Sequence, residues 1–238
     1  GGGHAGLEAA MIASYFNCSV ALITMDKNAI GRMSCNPAIG GLAKGQIVRE
    51  IDVLGGLMAQ VADFSGLQFK TLNKKKGRAV WSPRAQIDKR VYERYMLQNL
   101  LSSPVDIVEG EVVQVFLDHH KVTGLELRSG ERINCTCAIV TAGTFLSAVI
   151  HIGERKVLAG RMGEERSEGL TENLTSLGMK SGRLKTGTPP RLIKNSIDWK
   201  KVTPTFGDLN PTPFSYFTSH INPKNQPCYT THTTERTH

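Results

Sequence analysis

The chain has 238 residues, of which 40% are hydrophobic, and this length suffices for one large domain or for one domain with a smaller insert. No run approaches the roughly 20 apolar residues of a membrane span, and no charged leader precedes an apolar segment, so we expect neither a membrane protein nor a secreted one. Lysine and arginine outnumber aspartate and glutamate by 29 to 21, which favours a polyanionic partner. The five scattered cysteines include no Cys-x-x-Cys pair, so we expect a cytoplasmic protein with free thiols.

The chain begins with a glycine-rich motif, Gly1-Gly2-Gly3-His4-Ala5-Gly6, that has the spacing Gly-x-Gly-x-x-Gly. Apolar residues at helical spacing follow it, and the run from Ser19 to Met25 then predicts a buried strand. In a dinucleotide-binding βαβ unit, the first glycine permits a tight turn, the second lets backbone N–H groups approach a pyrophosphate, and the third lets helix and strand pack closely. We therefore predict a pyrophosphate-binding loop here, and we expect a further strand to precede it.

A residue that binds the ribose of the dinucleotide is expected about 20 residues after the glycine motif, at the end of the second strand. Asp26 stands at this position, and Thr24 lies on the same face of the strand because side chains alternate. A threonine hydroxyl is a weaker acceptor than a carboxylate, so Asp26 is the first candidate. The alternative is an ordinary surface aspartate in a turn.

Two amphipathic helices are predicted after a glycine-rich polar stretch from Gly31 to Gly45. The spacing of apolar residues indicates one helix from Gln46 to Leu54 and another from Gln86 to Leu101. The second is followed by Ser102-Ser103-Pro104, a sequence that ends helices.

The hydrophobic period changes to two between Asp106 and Val140, which predicts a three-stranded meander. Its strands are Val112 to Leu117, Val122 to Leu127 and Arg132 to Val140. The last strand runs into Thr141-Ala142-Gly143-Thr144-Phe145, a turn whose glycine allows backbone to approach a ligand closely. This order of elements is typical of flavoproteins and separates them from nicotinamide enzymes that share the glycine motif.

The pattern weakens beyond Gly153, where one helix is predicted from Ser167 to Leu177 and a segment rich in proline and threonine begins at Thr186. We interpret that segment as an inserted module, because its composition is not that of a disordered linker. The sequence thus predicts an α/β protein with a Rossmann-like FAD-binding domain of the two-dinucleotide-binding-domain flavoprotein type, including the β-meander, at residues 1–185. Residues 186–238 would begin an inserted α+β second module.

Basic residues are concentrated between Lys70 and Arg90. This density favours contacts with the phosphates of a nucleic acid, and a solvated basic face without a partner is the alternative. The candidate nucleic-acid-binding residues are Lys74, Lys75, Lys76, Arg78, Arg84, Lys89 and Arg90.

A further string, Met33-Ser34-Cys35-Asn36-Pro37-Ala38-Ile39-Gly40-Gly41, is too particular to follow from the fold alone. It resembles the GidA/MnmG family, as do other strings that follow the family's order along the chain. These are Gly1–Gly6, Arg84-Ala85-Gln86, Gly143-Thr144-Phe145-Leu146, the run from Gly182 to Arg191, and Cys228-Tyr229-x-Thr231-His232-Thr233. The chain departs from the family pattern at Lys76-Gly77-Arg78-Ala79-Val80-Trp81, where Lys-Gly-Pro-Ala-Val-Arg is expected.

The resemblance implies an enzyme that adds an aminomethyl-type group, carboxymethylaminomethyl, at C5 of the wobble uridine 34 of tRNA. It implies FAD and NADH as cofactors, methylenetetrahydrofolate as the carbon donor, and a GTPase partner of the MnmE type. It also implies a homodimer that forms a heterotetramer with this GTPase. The helical region that meets the GTPase, and the rest of the FAD site, are expected in a C-terminal part that this sequence does not include.

The resemblance also assigns cofactor-binding residues. Those for FAD are Gly1, Gly2, Gly3, His4, Ala5 and Gly6 at the pyrophosphate, the backbone of Val112 at the adenine, and Ser167, and Asp26 joins them as the ribose candidate. The nicotinamide segment comprises Asn225, Gln226, Pro227, Tyr229, Thr231, His232, Thr233, Glu235, Arg236 and His238. No metal site is predicted, because the spacing from His232 to His238 is not His-Glu-x-x-His.

Two cysteines, Cys35 and Cys228, match family cysteines implicated in activity, so the resemblance gives both a catalytic role. A thiolate that attacks C6 of uracil would make C5 carbanion-like and ready for substitution. Proton donation near the flavin is an alternative role for either thiol, and packing is the ordinary role of a lone cysteine.

Three other functions fit parts of the sequence. A folate-dependent tRNA (uracil-5) methyltransferase of the TrmFO type shares the flavin fold and the glycine motif, but not the string from Ser34 to Gly41. A small-molecule flavin oxidoreductase is disfavoured by the basic stretch and by the absence of a Cys-x-x-x-x-Cys pair. The third is a non-catalytic RNA-binding scaffold that keeps flavin for its structure.

Overall fold

The computed structural model describes residues 1–187 and 189–237, and the chain divides into two compact units. The first comprises Gly1–Arg32 and Leu97–Thr186, and the second comprises Met33–Met96 and Gly187–His238. The described helices are α1 (His4–Tyr15), α2 (Lys44–Val53), α3 (Met58–Ser65), α4 (Lys89–Leu101) and α5 (Leu170–Ser176). The described strands are β1 (Ala21–Thr24), β2 (Ala38–Gly40), β3 (Gly66–Leu72), β4 (Ser82–Ile87), β5 (Asp106–Glu109), β6 (Val112–Asp118), β7 (Lys121–Leu127), β8 (Arg132–Asn134), β9 (Ile150–Ile152), β10 (Arg155–Val157), β11 (Thr203–Thr205) and β12 (Cys228–Thr230). Within the described ranges, none of the helices combines the length and the hydrophobicity of a membrane span.

The first unit opens with α1 and β1, as the glycine motif and the apolar run predicted. Leu7, Ala10 and Ser14 are the buried side of α1, because their spacing of three and four residues places them on one face. β1 pairs in parallel with β5, with Ala21 opposite Asp106 and Thr24 opposite Glu109. A helix followed by parallel strands confirms the predicted Rossmann-like α/β arrangement.

The predicted meander is present as the antiparallel sheet β6-β7-β8, but its third strand is shorter than predicted. It ends at Asn134 and not at Val140. A strand requires a neighbouring strand to which its backbone groups form hydrogen bonds. Among the described residues, none forms a backbone hydrogen bond with the segment from Thr136 to Val140. The apolar alternation is therefore real, yet Ile139 and Val140 remain exposed.

The helix predicted from Ser167 to Leu177 begins later, at Leu170. Gly169 has a φ of 92°, a conformation that glycine adopts without strain, and this turn marks the start of the helix. The side chain of Asn173 then accepts a hydrogen bond of 2.9 Å from the backbone N–H of Val115. This bond fastens α5 to β6 within the first unit.

The second unit contains α2, α3 and the sheet β2-β4-β3, whose strands are all antiparallel. The helix predicted from Gln46 is confirmed as α2. The helix predicted from Gln86 begins at Lys89, because the Asp88 side chain accepts hydrogen bonds from the backbone N–H groups of Arg90 and Val91 and so caps it. The sequence pattern did not predict α3, β3 or β4.

A buried amide in β3 helps to hold the C-terminal segment of the second unit. Gln68 donates hydrogen bonds to the carbonyl oxygens of Thr205, at 3.0 Å, and Gln226, at 2.9 Å. β11 and β12 pair antiparallel, with Thr205 opposite Cys228. A polar side chain in β3 thereby places the predicted cysteine.

Two carboxylates hold the turn that begins at Phe214. Asp63 accepts hydrogen bonds from the backbone N–H groups of Phe214, at 2.6 Å, and Ser215, at 2.8 Å. Asp52, which is fully buried, accepts from the Ser215 hydroxyl at 2.7 Å and from the Tyr216 N–H at 2.8 Å. Burial raises the pKa of Asp63, whereas its backbone hydrogen bonds act in the opposite direction.

We expect Asp52→Ala to lower the free energy of unfolding by about 3 kcal/mol, because it leaves the buried hydroxyl of Ser215 and the partly buried N–H of Tyr216 without an acceptor. Urea denaturation of the full-length protein would measure this. The control is Asp118→Ala, at an exposed carboxylate, which should change stability by less than about 0.5 kcal/mol. Equal effects of the two substitutions would contradict the role given to Asp52.

Candidate functional site

The glycine motif forms a tight loop in the first unit in which two positions admit only glycine. A Cβ atom at Gly6 would lie 1.8 Å from the carbonyl oxygen of Gly1 and 2.9 Å from the Oγ1 atom of Thr141. A Cβ atom at Gly1 would lie 2.5 Å from the carbonyl oxygen of Thr141. These contacts correspond to the predicted tight turn and close packing of the first and third glycines.

Gly3, the middle glycine of the motif, is different because a Cβ atom there would meet nothing within 4 Å. It is the N-cap residue of α1, and no side chain caps this helix. The N-terminus of a helix carries partial positive charge and N–H groups directed outwards, which suits a phosphate group. The open space at Gly3 is therefore where an anion can approach the backbone.

The turn after the meander lies beside the glycine loop. The Thr141 hydroxyl donates a hydrogen bond of 3.1 Å to the carbonyl oxygen of Gly1. Gly143 has a φ of 63°, and a Cβ atom there would meet nothing within 4 Å. The loop and the turn thus join through Thr141, and each presents a glycine to open space, as a cofactor lying against both would require.

Asp26, the first ribose candidate, is engaged within the protein. Its carboxylate accepts a hydrogen bond of 2.8 Å from the Asn28 N–H and lies 3.5 Å from the guanidinium of Arg32. The alternative residue, Thr24, is buried, and its Oγ1 would lie 3.1 Å from a Cβ atom at Gly2. Asp26 remains partly exposed and can accept a further hydrogen bond, so its assignment stays a prediction.

An ion pair stands beside the predicted adenine contact at Val112. Glu111 directly precedes Val112, and Arg128 donates a hydrogen bond to each of its two carboxylate oxygens. The bond from Nη2 of Arg128 to Oε1 of Glu111 is 2.9 Å long, and the second bond runs from Nε to Oε2. The N–H of Glu168 donates to the same carboxylate at 2.8 Å. Hydrogen bonding from Arg128, and to a lesser extent from the side chain of Ser167, holds the pKa of Glu111 below its ordinary value against the opposing effect of burial. Ser167 is thus buried, and its side chain contributes to the low pKa of Glu111.

The sign of this pKa shift gives a pH prediction. Because the folded-state pKa of Glu111 lies below 4.5, its contribution to stability is present above that pH and is lost as the pH falls through the folded pKa. The stability difference between wild type and Glu111→Gln should therefore shrink in acid. Urea denaturation at a series of pH values would measure it, with the exposed Glu131→Gln as control. A difference that is constant with pH would contradict the prediction.

Both predicted catalytic cysteines belong to the second unit, and both are free thiols. Cys35 is exposed, its Sγ lies 3.9 Å from the carbonyl oxygen of Gly187, and its own carbonyl oxygen accepts a 2.9 Å hydrogen bond from Arg191. Cys228 is half-buried at the start of β12. The next residue, Tyr229, makes an edge contact with Trp199 at 4.8 Å between ring centroids.

The predicted nicotinamide segment has an anchored beginning and an exposed end. The Asn225 side chain accepts a hydrogen bond of 3.0 Å from the Gly207 N–H, and the Gln226 N–H donates to the Leu67 carbonyl oxygen at 3.2 Å. The later candidates are exposed: Thr231, His232, Thr233, Glu235 and Arg236. His238 lies outside the described residues.

The predicted nucleic-acid-binding residues differ in their surroundings. Lys74 pairs with Asp208 at 2.7 Å, which neutralises part of its charge. The departure from the family pattern places the Arg78 guanidinium 5.7 Å from the centre of the Trp81 ring. Exposed candidates are Lys74, Lys75, Lys76, Arg78 and Arg90, whereas Arg84 and Lys89 are half-buried.

Three residues that shape the site in the first unit were not among the predicted site residues. Thr141 joins the turn to the glycine loop, and Glu111 with Arg128 fixes the backbone before Val112. Glu111 could have been identified from the sequence, because it directly precedes the predicted contact Val112. Its ion pair with Arg128 could not, because this contact depends on the pairing of β6 with β7.

Comparison with known proteins gives consistent matches. The family model for glucose inhibited division protein A matches residues 1–238. The tRNA uridine 5-carboxymethylaminomethyl modification enzymes MnmG of Syntrophotalea carbinolica and Thermodesulfovibrio yellowstonii are 46% and 48% identical over 239 residues, covering 100% of this chain. The form II crystal structure of Aquifex aeolicus GidA is similar with a TM-score of 0.91 and 43% identity over 96% of this chain. The chain spans 39% and 38% of the two curated relatives and 39% of the Aquifex chain.

Proposed function

Because the chain belongs to the glucose inhibited division protein A (GidA) family, as its motifs predicted, we propose that it is the FAD-binding part of a tRNA-modifying enzyme. The modification is the addition of a carboxymethylaminomethyl group at C5 of the wobble uridine 34. The names of relatives at 46% and 48% identity support this reaction over the methyl transfer of the alternative.

The observation that carries the proposal is the geometry of the glycine loop. Gly1 and Gly6 are packed so closely that no side chain fits, whereas Gly3 leaves open space at an uncapped helix N-terminus. A pyrophosphate would fill that space and would complete the helix end electrostatically. The residues present therefore fit FAD.

The glycine loop, Asp26 and Val112 have separate tasks in this arrangement. The backbone of Gly1–Gly6 binds the pyrophosphate, and Asp26 accepts a hydrogen bond from the ribose. The Glu111–Arg128 pair fixes the backbone that leads into Val112, so that Val112 can contact the adenine. When bound, FAD in its reduced form would supply a nucleophilic ring nitrogen that can take up the one-carbon unit, and NADH would keep the flavin reduced.

A cysteine thiolate, from Cys35 or Cys228, adds to C6 of uridine 34 and makes C5 nucleophilic. C5 then attacks the activated methylene carbon, and the electron pair of its carbon–nitrogen π bond passes to the carrier nitrogen. The amine of the nitrogen donor displaces the carrier from this carbon, a base takes the C5 proton, and the C6–sulfur electron pair returns to sulfur to regenerate the thiolate. The exposure of Cys35 and the partial exposure of Cys228 are compatible with either thiol in this role. NADH supplies reducing equivalents, and the segment from Asn225 onwards binds it.

The remaining parts of the proposal concern partners. The basic stretch binds tRNA, and methylenetetrahydrofolate donates the carbon. The full-length protein is a homodimer that forms a heterotetramer with a GTPase of the MnmE type.

Reconstitution with isotope-labelled methylenetetrahydrofolate tests the proposal. The full-length protein, the GTPase, FAD, NADH, a nitrogen donor and unmodified tRNA are combined, and the nucleosides are analysed by mass spectrometry. We expect the label in an aminomethyl-type substituent of uridine 34. Label in a C5 methyl group would establish the methyltransferase alternative, and an absence of label would refute folate as the donor.

A further inference from the structure

A small cavity in the second unit is lined by three cationic side chains and one carboxylate. Its volume is about 20 Å³, and Arg49, Lys70, Arg84 and Asp208 are among the residues that line it. Lys70 and Arg84 stand directly opposite each other on β3 and β4. Two like charges in such a cross-strand pair repel each other and destabilise the sheet. This arrangement calls for a negative charge between them.

The carboxylate in the cavity does not meet this need. Oδ2 of Asp208 already accepts hydrogen bonds from the Lys74 ammonium, at 2.7 Å, and from the Thr71 N–H, at 2.9 Å. Across the ranges that the structure describes, neither Lys70 nor Arg84 forms an ion pair. The positive charge of the cavity therefore exceeds its negative charge.

The two arginines that line the cavity, Arg49 and Arg84, each have an N–H group without a hydrogen-bond partner. The Nε atoms of Arg49 and Arg84 are buried and have no hydrogen-bond partner. Arg49 is held in place by a 3.0 Å hydrogen bond from Nη2 to the Pro213 carbonyl oxygen and by the Tyr216 ring, 5.1 Å away. Buried N–H groups are almost always paired in folded proteins, so these two donors show that the protein compensates the two guanidinium groups incompletely.

We propose that this cavity binds one phosphate group of the tRNA backbone. A phosphate has the charge and the several acceptor oxygens that Arg49, Lys70 and Arg84 together require. The cavity, at about 20 Å³, holds about one water-sized atom, so one phosphate oxygen enters it and the rest of the phosphate and of the ligand lies at its mouth and outside it. Residues 73–81, which connect β3 to β4, carry the exposed cations Lys75, Lys76 and Arg78, and this continuity of charge favours a polyanion over a single small molecule.

This inference rests on the proposed function for the identity of the nucleic acid, but it is tested by binding and not by modification. The affinity of the full-length protein for tRNA is measured at several salt concentrations for wild type and for Arg84→Gln. We expect Arg84→Gln to bind tRNA about tenfold more weakly than wild type. The slope of log K against log salt concentration should also decrease in magnitude by about 0.7 to 0.9, which corresponds to the loss of one phosphate contact. Arg49→Gln should behave in the same way, and it decides the question if Arg84→Gln does not fold.

Matched controls separate the site from general charge and from structure. Arg155→Gln removes the same charge from an exposed arginine of the first unit and should leave the slope unchanged. Because Arg84 faces Lys70, Arg84→Gln should also raise the melting temperature of the ligand-free protein, whereas a purely structural guanidinium would lower it. An unchanged slope for both cavity variants would overturn the proposal.

The source of the phosphate is decided by a second titration, with NADH. We expect NADH affinity to be equal in wild type and Arg84→Gln. Weaker NADH binding with an unchanged tRNA slope would overturn the tRNA assignment and give the cavity to a dinucleotide phosphate. The phosphate site and the proposed modification reaction are tested independently. The salt dependence of tRNA binding reports on the cavity even if uridine 34 is not the nucleoside that is modified.

Discussion

The full-length protein carrying Gly3→Asp is expected to fold normally and to purify without flavin. The Cβ atom of the new side chain meets nothing within 4 Å, and aspartate is a favoured N-cap residue, so α1 should be as stable as before or more so. Its carboxylate would nevertheless stand where the pyrophosphate binds. Repulsion of about 3 kcal/mol would weaken FAD binding about a hundredfold. Absorbance of the bound flavin and titration with added FAD measure the effect.

The matched control for Gly3→Asp is Gly77→Asp. A Cβ atom at Gly77 would also meet nothing within 4 Å, and the residue has a negative φ, but it lies in the second unit. This variant should retain flavin at the wild-type level. If Gly3→Asp bound FAD as tightly as Gly77→Asp, the glycine loop would not be the pyrophosphate site.

The second large effect is expected from Cys228→Ser. Serine is nearly isosteric with cysteine but is a much poorer nucleophile at neutral pH, so turnover should fall at least about a hundredfold, which corresponds to about 2.7 kcal/mol in activation free energy. FAD content and tRNA affinity should not change. A single-turnover assay of uridine 34 modification measures the chemical step.

Two further cysteine variants make this test specific. Cys35→Ser shows whether the other candidate thiol is also required, and Cys18→Ser, at an exposed cysteine of the first unit, should be fully active. Near-normal turnover of Cys228→Ser would refute its catalytic role and leave Cys35 as the candidate. Loss of flavin or of folding would instead assign Cys228 a structural role.

The part of the fold that was predictable is the part whose signals are local. α1 and β1 follow from the spacing of Leu7 and Ala10 and from the apolar run after Ser19, and the glycine loop follows from its motif. The end of the third meander strand could not be predicted. The apolar alternation continues to Val140, but the backbone there has no neighbouring strand to pair with in the described part of the chain. Pairing is a property of the tertiary structure.

The second unit was less predictable because buried polar residues build it. Gln68 and Arg84 interrupt the apolar pattern of β3 and β4, although both strands are well formed. Asp52 resembles an exposed residue of an amphipathic helix, yet it is fully buried and binds Ser215, which is 163 positions away. Such long-range hydrogen bonds leave no periodic signal in a single sequence.

Analysis of tRNA nucleosides in cells tests the central claim most directly. Total tRNA is isolated from cells with the gene, from cells without it, and from deleted cells that express wild type or Gly3→Asp, and its nucleosides are compared by mass spectrometry. We predict that the carboxymethylaminomethyl-type uridine disappears on deletion and returns with wild type but not with Gly3→Asp. Identical wobble uridine nucleosides in the presence and absence of the gene would contradict the proposed function.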